Sequence, residues 1–191
     1  MTTVALPLMT VDEFLALPDD GIDRDLINGR IREYGKSTTR RNFGHTRAEA
    51  NIARILGNWL ATQPEPRGVV VSGEAGVRLG RSDATTVGID VAYFSAEVAA
   101  ATPEDASLIE GAPILAVEIL SPSDKQEDIL DKVRSYLDAG VCLVWVVEPV
   151  FRTVSVFRPG AEPALFSTSQ ELLGEANLPG LRVAVREIFA A

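Results

Sequence analysis

The chain has 191 residues, 46% apolar and 24% charged, with a net charge of −9 and a single cysteine. That length suits one domain spanning residues 1–191, and the composition is that of an ordinary soluble globule. Cys142 alone excludes an intrachain disulfide and any Cys-rich zinc site, and no apolar run nears the ~20 residues that would span a bilayer.

The opening residues, Met1-Thr2-Thr3-Val4-Ala5-Leu6-Pro7, lack the basic start and long apolar stretch of a signal peptide, so the expectation is a cytoplasmic protein with no membrane partner. Thr10-Val11-Asp12-Glu13 is a capping box that opens a short helix ended by Pro18. Arg24-Asp25-Leu26-Ile27 and Arg30-Ile31-Arg32-Glu33 flank Asn28-Gly29, the dipeptide that most readily takes positive φ at both centres of a hairpin turn. Gly35 to Gly44 reads as a polar loop.

Between Gly29 and Arg54 seven cations (Arg30, Arg32, Lys36, Arg40, Arg41, Arg47, Arg54) face two anions, a local excess of five positive charges on an acidic body. Arg40, Arg41 and Arg47 are therefore candidates for following a nucleic-acid backbone; a solvated basic loop explains the same run.

From His45 to Thr62 apolar residues recur at helical spacing, until Pro64-Glu65-Pro66 stops them. Extended runs follow at 69–71, 76–79, 87–94 and 114–120, with a short helix or loop over 96–110. Ser121-Pro122-Ser123 supplies a turn and N-cap, with Gln126 placed to complete a box. The next helix has Ile129, Leu130, Val133, Tyr136 and Leu137 on one face, and Gly140 closes it. Val141 to Val147 then reads as a strand buried on both faces. Strand, helix, strand predicts a parallel βαβ crossover, and 153–157 with 164–166 predict a meander on the sheet edge. Pro179-Gly180-Leu181-Arg182-Val183 and an apolar turn at Ile188-Phe189 finish an α/β domain.

Two acids interrupt apolar strands: Asp90 within Val87 to Phe94, and Glu118 within Ile114 to Leu120. A carboxylate there is costly to bury unless it is paired, neutralised or bound to a cation. Either acid alone is as well explained by an edge strand facing water; both together point to a shared site. Mg²⁺ binds through one or two carboxylates plus waters and leaves room for a phosphate. Lys132 lies about 40° around the helix from Tyr136 at ~100° per residue, within reach of the C-terminal edge of the preceding strand. There it would stabilise charge on a reacting phosphate; an Asp128–Lys132 surface pair is the alternative.

Several segments together resemble a known family. They are Asp25-Leu26-Ile27-Asn28-Gly29, His45 opening a helix, Gly88-Ile89-Asp90-Val91, Val117-Glu118-Ile119-Leu120-Ser121-Pro122-Ser123, then Asp128, Lys132, Tyr136 and Gly140-Val141. In that order, from about Thr10 to Phe189, the chain is similar to the bacterial family labelled "putative restriction endonuclease" in the PD-(D/E)XK nuclease superfamily. The resemblance implies a restriction-endonuclease-like core: a mixed β-sheet flanked by α-helices, with an N-terminal hairpin and a metal site at one edge. It implies Asp90 and Glu118 as Mg²⁺ ligands, with Mn²⁺ as a substitute, and hydrolysis of nucleic-acid phosphodiesters, DNA above RNA. Two departures stand out: Gly88-Ile89 replaces the motif's proline, and Leu120 fills the usual lysine position, so Lys132 becomes the relocated lysine. Asp25, His45 and Glu74 are further candidates for the site.

The alternative function is a catalytically inactive nuclease-fold binding module of a defence or mobile-element system. Cutting both strands favours a homodimer. Tyr93, Phe94, Trp145 and Phe157 are candidates for its surface, with core packing as their default role.

Overall fold

The computed structural model describes residues 8–36, 42–80, 85–122 and 124–190. Thr10 caps helix α1 (Val11–Leu15), and the reciprocal Thr10–Glu13 capping box is formed. Strands β1 (Ile22–Ile27) and β2 (Arg30–Lys36) make the hairpin. Its turn residues Asn28 and Gly29 sit at φ 51° and 73°, as that dipeptide requires. A side chain at position 29 would also press within 2.9 Å of Leu8 Cβ. Both ends of the stretch expected as a loop over 35–44 belong to regular elements, since β2 runs to Lys36 and helix α2 (Phe43–Ala61) begins at Phe43; residues 37–41 lie outside the described residues.

The two extended runs at 69–71 and 76–79 are one strand, β3 (Val69–Arg78), broken by a bulge between Ser72 and Ala75. It pairs with β4 (Thr86–Phe94), and Gly68 just before it lies so close that a Cβ there would meet Phe94 O at 1.9 Å. Helix α3 (Ala96–Ala101) and the two-residue β5 (Ile109–Glu110) occupy the stretch read as helix or loop. Strand β6 (Leu115–Ile119), helix α4 (Gln126–Asp138) and strand β7 (Leu143–Glu148) form the expected βαβ unit, with β6 and β7 parallel.

The N-cap of α4 is Lys125, not Ser123, which lies outside the described residues. Asp124 has already turned back to accept the Ser121 amide at 2.7 Å, so the chain enters the helix two residues later than a Ser123 cap would place it. Gly140, at φ 96°, closes the helix while the Val141 amide reaches back to Tyr136 O.

The meander is as predicted: β8 (Thr153–Phe157) and β9 (Ala164–Phe166) extend the sheet beyond β7. The short pair β10 (Glu171–Leu173) and β11 (Arg182–Ala184) was not expected from the sequence, since each is only three residues long and has little pattern to read. Helix α5 (Val185–Ile188) follows.

Among the described residues the main sheet runs β2-β1-β4-β6-β7-β8-β9, with β3 paired to β4 and β5 to β3. A core lies on each face. On one, α2 presents Ala48, Ile52, Leu56 and Trp59 to Val117, Trp145 and Val147. On the other, Val133 and Tyr136 of α4 cover Ala116, Val144 and Ile89. Strand alternation therefore puts Glu118 on the α4 face with Ala116. Trp59 meets Tyr93 edge-on at 5.1 Å, and its indole N–H donates to Pro179 O. Phe94 and Trp145 are 0% and 1% exposed, which removes them from any dimer surface. No helix among the described residues is long and apolar enough to cross a membrane.

Candidate functional site

Strands β4 and β6 are interior and antiparallel, and Val91 pairs with Val117, so the next position sets Asp90 opposite Glu118. The edge-strand explanation of these acids is thereby excluded. Both are buried, as is Asp25 from the neighbouring strand β1. The three acids line one cleft of about 600 Å³ with His45, Glu74 and Lys132, so all six candidates other than the arginines come together.

Each acid is held by at least one donor from the fold, Asp25 and Glu118 through both oxygens. Asp90 Oδ2 accepts the Ile119 amide at 2.7 Å, and its Oδ1 lies 3.4 Å from His45 Nε2. Asp25 Oδ1 accepts the Gly88 amide at 2.9 Å, while its Oδ2 accepts the Tyr34 hydroxyl at 2.9 Å and stands 3.6 Å from Lys132 Nζ. Glu118 Oε1 accepts the Tyr136 hydroxyl, and its Oε2 takes the Lys132 ammonium at 2.9 Å. Lys132 also donates to Gly88 O at 2.9 Å, pointing into the cleft rather than across to Asp128.

The electrostatics follow from that packing. Burial raises the Glu118 carboxyl to about 7, and the Asp90 charge adds to this against the pull of Lys132. Burial opposes the charge on Lys132, but Glu118, Tyr136 and Asp25 outweigh it and hold the ammonium firmly protonated. Burial, then Glu118, pushes the Tyr136 phenol up, so its hydroxyl remains a donor.

His45 is held by α2's first turn, where Asn42 Oδ1 caps its amide at 2.9 Å. The imidazole is 1% exposed, and its Nδ1 is buried without a hydrogen bond, 3.9 Å from Glu49 Oε2. Glu74 enters the cleft from the β3 bulge at φ 57°, backbone strain of the kind found at functional positions.

The basic run behaves differently. Arg47 is half-buried with its guanidinium 5.1 Å above the Phe43 ring, and it does not line the cleft. Arg40 and Arg41 lie outside the described residues. Arg32 is engaged with Asp131 at 2.6 Å. The sequence reading missed Tyr34 and Tyr136 as site residues. An acid in the facing strand was the only available signal, because a tyrosine on an apolar helix face reads as core.

Among the described residues eight carboxylates and three cations (Arg24, Lys125, Lys132) line the cleft, and Arg24 is already tied to Asp20 and Glu33. Among the described residues no three His, Cys, Asp or Glu side chains close into a ready-made metal set. The donor chemistry still fits a hard divalent ion, for which one or two carboxylates and waters suffice: Asp90 and Glu118 are adjacent and buried, in a cleft whose acids outnumber its cations.

No curated protein matches the sequence. A crystal structure described as a putative nuclease belonging to DUF820, from Anabaena variabilis ATCC 29413, superimposes with a TM-score of 0.78 at 21% identity. The match covers 95% of this chain and 97% of that one, and it establishes the shared fold. The Uma2 family model, described as "Putative restriction endonuclease", matches residues 11–186, and the chain therefore belongs to that family.

Proposed function

We propose that this chain is a divalent-metal-dependent nuclease that hydrolyses phosphodiester bonds in DNA. The observation that carries the reading is the convergence of Asp25, Asp90 and Glu118 on one cleft around the Lys132 ammonium. Asp90 and Glu118 would hold Mg²⁺, or Mn²⁺ in its place, and the bound ion supplies Lewis acidity toward water and the phosphate oxygens. Lys132 keeps its charge at neutral pH and stands beside Glu118, where it can stabilise a phosphate gaining negative charge. Asp25 and the Gly88 carbonyl fix where that ammonium sits. His45 orients Asp90 from the α2 side.

The protein should bind Mn²⁺ in calorimetry and nick supercoiled plasmid in its presence. Asp90→Ala and Glu118→Ala should abolish cleavage, and Lys132→Ala should cut it by ~10²-fold or more. Cleavage unaltered in all three variants, or no Mn²⁺ binding at millimolar concentration, rules the proposal out. The acidity of the cleft favours one rival, an inactive nuclease-fold module that binds nucleic acid or protein. That module would retain binding with no metal titration. Incision of both strands calls for two copies acting as a homodimer, which sedimentation on a two-strand substrate would reveal. The cytoplasm is the compartment where such an enzyme meets DNA.

A further inference from the structure

Lys132 and Tyr136 are four residues apart on α4, so they project from the same face of the helix. They grip the two oxygens of one carboxylate: Lys132 takes Glu118 Oε2 at 2.9 Å and Tyr136 takes Oε1. Tyr136 is 0% exposed and Glu118 5%, so water does not compete for either contact. Lys132 has a second acceptor in Gly88 O and can yield part of Oε2 to an incoming cation. The Tyr136 hydroxyl makes its contact with Glu118, and its buried ring, packed among Val133, Val144 and Ala116, leaves it no route to water.

We infer that Tyr136 is a positioning residue that limits Glu118 to one oxygen facing the cleft and so biases the site toward small divalent ions over calcium. The inference rests on the metal-site reading given above. Calcium takes six to eight oxygens and often two from one carboxylate, whereas Mg²⁺ and Mn²⁺ accept single-oxygen contacts in a tighter shell. Holding Oε1 from behind disfavours the two-oxygen mode at Glu118. A phenol present only to satisfy its own hydrogen bond would leave the cation preference untouched.

The test is Tyr136→Phe, which keeps the ring. Mn²⁺ binding is followed by electron paramagnetic resonance, and Ca²⁺ is titrated in to displace it. Wild type should resist displacement, and the variant's Ca²⁺-to-Mn²⁺ affinity ratio should rise by about tenfold, the scale of lost outer-sphere contacts. An unchanged ratio overturns the inference while leaving the nuclease reading intact. Failure of the wild type to bind Mn²⁺ overturns both. If Tyr136→Phe does not fold, infrared difference spectra of the wild type on adding Mn²⁺ decide the matter. The carboxylate signal lost in Glu118→Gln should show single-oxygen splitting, and a chelated pattern overturns the inference.

Discussion

Replacing Lys132 by Met removes a charge that touches both Glu118 and Asp25, at 2.9 and 3.6 Å, from a position only 8% exposed. Deleting one partner of a buried ion pair costs about 3–5 kcal/mol, because the remaining charge stays behind unpaired. Here the penalty depends on pH. Glu118 titrates at about 7 in the fold against 4.5 unperturbed, so between those values the native state holds a proton that the unfolded chain has released. Stability of the wild type therefore declines as pH rises through that window, by ~3 kcal/mol in all. Without Lys132 the carboxyl moves higher still, and the decline extends past neutrality. Lys132→Met should cost about 3–5 kcal/mol at pH 8 but only ~1–2 kcal/mol at pH 5, where Glu118 is protonated in both proteins. Urea unfolding at the two pH values, with chelator present, measures this. Adding Glu118→Gln should restore most of the loss at pH 8. Equal penalties at both pH values would refute the reasoning, as would a loss below ~1 kcal/mol at pH 8.

Glu118 must shed its proton to hold a cation, so Mn²⁺ affinity by calorimetry should climb about tenfold per pH unit below 7 and level off above it. A flat profile from pH 5 to 8 would remove Glu118 from the ligand set. Gly68→Ala drives a methyl to 1.9 Å from Phe94 O and should cost ~2–3 kcal/mol, read as a drop in Tm of ~5–10 °C. Arg32→Ala breaks a 2.6 Å pair whose arginine is 41% exposed. The expected loss is below ~1 kcal/mol and shrinks further in salt, checked by melts at low and high ionic strength.

Asp90 and Glu118 were legible because an acid inside an apolar strand demands an explanation, and the β4–β6 register supplies one. The hairpin, the long helices and the βαβ unit each carried a local signal: Asn-Gly, 3.6-residue spacing and a glycine stop. Asp25 came only through the family resemblance, since Arg24-Asp25-Leu26 looks the same whether the acid faces water or the cleft. Tyr34 and Tyr136 act through single hydroxyls whose partners lie 9 and 18 residues away, and one-dimensional pattern cannot show that. The β3 bulge escaped notice because Ser72-Gly73-Glu74 reads as a gap between strands unless the partner strand is known.

The lysine arrives from α4, while Leu120, at the position where a strand lysine would sit, keeps its amide bonded to Val147 O. Charge balance at the cleft is thus shared by four elements distant in sequence: β1, β4, β6 and α4. A one-residue slip of β6 would carry Glu118 to the opposite face, among apolar side chains and away from the Lys132 ammonium. Misregistered sheets thus contain an uncompensated buried ion and are disfavoured. The cleft ties its charge balance to one sheet register, and only the native β4–β6 pairing brings Glu118 to the α4 lysine.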